Sequence, residues 1–110
     1  MNEETNTQHQ KEITLPISKQ KVVIKTMITG AEREIIETAP TKFSRVGERG
    51  EVVITDIAKA TLAEKHALID VYVVSIEGSP TSCRERLLKM YEDDYNTVVQ
   101  AIEDVQKKTN

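Results

Sequence analysis

The sequence predicts an α+β fold: a small sheet, built from an N-terminal hairpin and a central strand near residues 71–76, packed with three to four helices. Three observations predict it. Residues 13–28 carry two aliphatic runs of alternating pattern, separated by a short polar break. Val71-Tyr72-Val73-Val74-Ser75-Ile76 is almost continuously apolar, as a strand covered on both faces must be. Between Tyr95 and Val105 the apolar residues recur about every 3.6 positions, the repeat of an amphipathic helix.

The elements follow in order. Residues 1–11 hold one apolar side chain, Met1. Such a segment cannot offset the entropy of ordering, so 1–11 is expected to be a disordered tail and 12–110 a single α+β domain. Ile13, Leu15 and Ile17 alternate with Glu12, Thr14 and Pro16. Proline cannot donate to a sheet ladder, which places this strand at an edge. After the break at Ser18-Lys19-Gln20, Val22, Ile24, Thr26 and Ile28 share one face of a second strand. Thr29 and Glu32 have the spacing of a capping box. A helix is therefore expected from about Gly30 to Thr38, burying Ile35 and Ile36 and ending before Pro40.

Residues 39–51 read as a loop in which only Phe43 and Val46 have reason to be buried. Val52, Val53 and Ile54 are β-branched, so residues 51–57 suit either a strand or a lead-in to the next helix. That alanine-rich helix runs to about Ile69, with Asp56 and Thr61-x-x-Glu64 competing as its start. Glu77-Gly78 closes the 71–76 strand. Ser79-Pro80 suits an N-cap followed by a first-turn proline, opening a helix to about Tyr91 with Cys83, Leu87, Leu88 and Tyr91 on its apolar side. Asp93 or Asp94 caps the last helix, which ends near Lys107.

Composition excludes several functions. Fifteen basic and 18 acidic residues leave a net charge of −3. The first 55 residues are balanced, with 8 of each sign, and the last 55 hold 7 basic and 10 acidic. No basic cluster exists to displace the counterions of a nucleic acid. No apolar run approaches the ~20 residues of a membrane span, the N-terminus lacks a secretory pattern, and a lone Cys83 suits a reducing compartment.

Reactive groups are sparse. Glu64, His66 and Asp70 are the best metal candidates, yet zinc wants three or four ligands and the other His lies in the tail; an ordinary helical pair is the better reading. Cys83 has Arg84 and Arg86 beside it but no well-placed His base, and a free Cys on an apolar helix face is common. Glu92-Asp93-Asp94 lacks the glycine and alternating ligands of a calcium loop and suits a helix start. Lys19, Lys21 and Lys25 suit either edge protection or contact with an acidic partner. Gly47-Glu48-Arg49-Gly50 is not a phosphate-binding loop. No catalytic residue, cofactor or metal ligand is assigned.

Leu15-Pro16, the run Lys21-Val22-Val23-Ile24-Lys25-Thr26-Met27-Ile28-Thr29-Gly30-Ala31-Glu32, the block Tyr72-Val73-Val74-Ser75-Ile76-Glu77-Gly78, and Leu87-Leu88 followed by Asp94-Tyr95-Asn96-x-Val98 together resemble the layout of small tail assembly chaperones of long-tailed bacteriophages and prophages. The resemblance spans about residues 13–105. Ser18-Lys19-Gln20 departs from the family's usual glycine turn, and 39–57 has no counterpart. The resemblance implies a non-enzymatic protein of the host cytoplasm that binds the tape measure protein or tail tube subunits, with self-association allowed by an edge strand. The alternative is a structural subunit of the tail or baseplate that stays in the virion. A role of this kind needs an exposed apolar or strand-edge surface. The candidates are Ile13, Leu15 and Ile17 on the edge strand, and Leu88, Met90 and Val99 on the helices, together with Val105 if left uncovered.

Overall fold

A computed structural model describes residues 9–109, with side chains placed through Lys107. The α+β fold is confirmed. The strands are β1 (Gln10–Thr14), β2 (Lys21–Lys25), β3 (Ser44–Val46), β4 (Val52–Ile54) and β5 (Val73–Ile76); the helices are α1 (Gly30–Thr38), α2 (Ile57–Tyr72), α3 (Cys83–Leu88) and α4 (Glu92–Thr109). The described residues pack as two compact units, one made of 9–28 with 69–109 and the other of 29–68.

The first unit holds an antiparallel three-stranded sheet in the order β1-β2-β5. β1 pairs with β2 from Gln10↔Lys25 to Thr14↔Lys21, so the hairpin and the edge position of its first strand are as expected. The strand is displaced, however. It begins at Gln10, inside the stretch expected to be tail, and it stops at Thr14. Residues 1–8, the rest of the expected tail, lie outside the described residues. Leu15 to Gln20 form the connecting turn, closed by the Leu15 amide donating to the Gln20 carbonyl at 2.9 Å and the Lys19 amide to Leu15 at 3.1 Å. Pro16 thus sits outside the ladder, where its missing N–H costs nothing. Lys19 takes the left-handed backbone that a glycine would ordinarily supply, at φ 64°.

β5 joins this sheet beside β2 but takes its outer position, so β2, not the 71–76 strand, is central. The apolar run is longer than the strand because α2 continues through Tyr72 before the chain extends. Val73 and Ile76 are buried while Val74 and Ser75 are half-buried. Glu77 and Gly78, at φ 51° and 80°, turn the chain as expected. α3 then starts three residues later than Pro80. Ser79 is not its cap: it bridges Ile76 through its amide and carbonyl, and Ser82 stands at the N-cap position instead, without a side-chain bond. α3 also ends at Leu88 rather than Tyr91, because Leu88 and Tyr91 are exposed and only Leu87 is fully buried. Leu15, Val22, Ile24, Ile76, Leu87, Val98 and Ile102 are among the side chains that form the aliphatic core.

The second unit opens with the expected capping box. The Glu32 amide donates to the Thr29 hydroxyl at 3.2 Å, and the Thr29 amide to the Glu32 carboxylate at 2.9 Å. Of the two isoleucines in α1, Ile36 is buried and Ile35 is exposed. The expected loop 39–51 is ordered instead. A 3-10 turn at Ala39–Phe43 leads into β3, which pairs with β4 from Ser44↔Ile54 to Val46↔Val52. The hairpin turn closes through the Gly50 amide on the Gly47 carbonyl at 3.0 Å, with Gly50 at φ 84°. Phe43 is half-buried, and Val46 is exposed rather than covered. Asp56 wins the competition to start α2, its carboxylate accepting from the Lys59 amide at 3.0 Å.

Candidate binding surfaces

The residues that carried the catalytic and metal alternatives are dispersed. Asp70 pairs with Arg84, 2.9 Å away, rather than with His66. Among the described residues no three His, Cys, Asp or Glu side chains cluster as a metal site would require. Cys83 is half-buried and directs its thiol to the Ser79 carbonyl at 3.7 Å. Burial pushes that thiol up, and the nearby Arg86 only partly opposes it. The Arg86 guanidinium is itself held by the Ile76 and Ser79 carbonyls, at 3.1 and 3.3 Å. A thiol so placed is a poor nucleophile, because the thiolate is the reactive form. The lysine stripe is also recast: Lys21 and Lys25 lie on the central strand and Lys19 in the turn, so they guard no edge.

The most buried charged group is Asp94, which is fully covered. It does not cap α4 as the sequence suggested. Its two carboxylate oxygens instead accept the amides of Ile17 and Ser18, at 2.8 and 2.9 Å, across 77 and 76 residues of sequence. Burial pushes this carboxyl up, but the Ile17 and Ser18 amides, the Ser18 hydroxyl and Lys19 together outweigh it and hold the pKa below the ordinary value of 3.8. The first turn of α4 thereby fixes the β1–β2 turn.

That clamp sorts the expected partner-binding residues. Leu15 is fully buried and is removed from the candidates: it turns inward beneath the loop that Asp94 holds. Val105 is buried as well. Ile17 points outward and is 49% exposed. Ile13, Met90 and Val99 are half-buried, and Leu88 is exposed. Ile17, Tyr91, Glu92 and Asp93 line one depression of about 370 Å³. Next to it a broader polar groove of about 600 Å³ is lined by Lys11, Pro16, Asp93, Asn96 and Gln100 among others.

One concentration of uncovered apolar surface was not foreseen. In the β3–β4 hairpin the register puts Val46, Val52 and Ile54 on one face, and they are 72%, 67% and 50% exposed. Ile57, at the start of α2, is uncovered too. The hairpin itself was legible, though not its exposure: β-branched residues flank a Gly-containing connection, Val46-Gly47-Glu48-Arg49-Gly50-Glu51-Val52. No described helix is long and apolar enough to cross a membrane. Compared with protein-family models, curated proteins and solved structures, the chain gives no match.

Proposed function

We propose that the protein is a non-enzymatic assembly factor of phage tail morphogenesis, binding the tape measure protein or tail tube subunits in the host cytoplasm. The observation that carries this reading is the uncovered apolar face of the β3–β4 hairpin. A small aliphatic domain that leaves Val46, Val52 and Ile54 in water forfeits burial free energy, about 25 cal/mol per Å² of apolar surface. Such a face is commonly retained where another protein covers it. The second support is the layout resemblance, which spans residues 13–105 apart from 39–57. Ile17, Tyr91 and Leu88 supply a further apolar contact in the first unit.

The test is co-expression with the longest gene product encoded nearby, followed by affinity capture. The reading expects the long protein to become soluble in complex with this chain. It expects Val52→Asp to release that partner while the circular dichroism spectrum stays unchanged. A partner that stays insoluble with or without this chain refutes the role. Mass spectrometry of purified particles separates a transient factor, absent from virions, from a stoichiometric tail or baseplate subunit.

A further inference from the structure

The two edges of the β3–β4 hairpin are complementary to each other. The Thr55 amide donates to the Phe43 carbonyl and the Gly47 amide to Glu51, both at 2.7 Å. Antiparallel ladders alternate, so Arg45 and Val53 form the hydrogen-bonded pair between these two. The main-chain groups of Val46 on one strand, and of Val52 and Ile54 on the other, consequently point away from the hairpin. Among the described residues β3 and β4 pair with no other strand. The same residues that offer these main-chain groups carry the exposed apolar side chains.

Charge separates along with the edges. β3 contains Arg45 and is preceded by Lys42, whereas β4 is uncharged and bracketed by Glu51 and Asp56; Glu48 and Arg49, side by side in the turn, offset each other. Two like edges brought together would set basic against basic or acidic against acidic. The β4 edge of one copy against the β3 edge of another does the opposite. Continuing the hairpin's own register outward sets Val52 opposite Val46 of the neighbouring copy, and Ile54 opposite Ser44. It also sets Glu51, at the start of β4, diagonal to Arg45 of that copy.

We infer that this hairpin is a self-association module in which β4 of one copy pairs antiparallel with β3 of the next, extending one apolar-faced sheet through successive copies. The contact is head-to-tail, so it builds a ring if the rotation closes and an open chain if it does not. The inference uses the same hairpin as the tail-assembly reading, and its test is separate because it uses the purified chain with no tail protein present.

The test is sedimentation velocity across a concentration series of the full chain and two blocked variants. Val46→Pro removes the outward amide of the β3 edge, and Val52→Pro that of the β4 edge; neither amide serves the ladder within the hairpin. The wild type is expected to grow beyond a dimer with concentration. Each proline variant alone stays a monomer, and an equimolar mixture forms a two-chain complex and nothing larger, since only one productive pair of edges remains. A wild type that stays monomeric throughout overturns the inference, including the case where the hairpin pairs only with a different protein. So does a Val46→Pro chain that still dimerises alone, which would show like edges pairing. If either proline variant loses its circular dichroism signal, Arg45→Glu carries the test, because Arg45 lies on β3 and is exposed. It should weaken association about two- to fivefold per interface, and association indifferent to both this change and added salt refutes the charge-matched register.

Discussion

Leu15 and Ile17 are two residues apart on one turn, and alternation alone assigns them the same role. In the structure Leu15 is fully buried and Ile17 is half in water. Truncating a fully buried leucine to alanine removes its transfer free energy and leaves a cavity, at a cost of about 2–5 kcal/mol. A central figure of about 3 kcal/mol is a large share of the 5–15 kcal/mol that holds typical domains together. It corresponds to a fall in melting temperature of roughly 10–20 °C. Ile17→Ala removes a side chain of which half is already hydrated, so the expected cost is about 1 kcal/mol or less. The assay is urea denaturation of both variants, followed by far-UV circular dichroism. Leu15→Ala should shift the midpoint strongly at unchanged slope, and Ile17→Ala should barely move it. Equal shifts, or a Leu15→Ala chain as stable as the wild type, would show that the turn does not fold inward as described. The same pair serves the functional question, because only Ile17 is available to a partner.

The remaining predictions concern the clamp, the cap and the sheet. The folded pKa of Asp94 is depressed below 3.8, so its contribution to stability is complete above that value and disappears as pH falls through the lower folded value. Thermal melts from neutral pH into acid should show this loss in the wild type, and Asp94→Asn should lack that component while being less stable at neutral pH; identical acid profiles would refute the assignment. Thr29→Ala removes one half of the capping box and should cost about 1 kcal/mol. Hydrogen exchange would register it as faster exchange of the Glu32 amide, and unchanged protection there would contradict the cap. Ile76→Asp places a carboxylate where the side chain is fully covered and should unfold the sheet, since the cost is comparable with the whole stability. Val74→Asp, at a half-buried site, should leave a folded but weakened protein; the reverse order would invert the assignment of the two faces of β5.

The elements that could be read from the sequence are those whose determinants are local. The capping box needs only Thr29 and Glu32, and the α4 stripe only its own spacing. Long-range determinants were not legible. Nothing near Asp94 in sequence says that its carboxylate closes on amides 76 and 77 residues earlier; within the helix it looks like one acid among three. That contact ends β1 at Thr14 and turns Leu15 inward, so a period-two reading carried past Thr14 assigns Leu15 to the wrong environment. Ser79 is a similar case. A serine before proline suits a cap, and only its bridge to Ile76 withdraws it. Lys19 shows a third kind of failure: its positive φ is tolerated because the turn and the Asp94 clamp hold it, whereas local propensity would ask for glycine.

The exposure of the β3–β4 hairpin fails to be legible for a different reason. Val46 and Val52 have the composition of a core, and apolar patterning says which residues seek cover, not whether cover is supplied. In β2 the same pattern is buried, since Val22 and Ile24 are fully covered. In β3–β4 it is left open, on a two-stranded sheet that is marginal by itself. An isolated hairpin of this size gains little from its own ladder, so covering its apolar face and its edge amides is the step that would stabilise it most. A partner covering that face would therefore complete the fold as well as bind to it, and hydrogen exchange offers the check. The amides of Arg45 and Val53, which lie inside the hairpin and touch no partner directly, should exchange more slowly in the complex than in the free chain. Exchange unchanged by binding would separate the hairpin's stability from its occupancy and place the interface elsewhere.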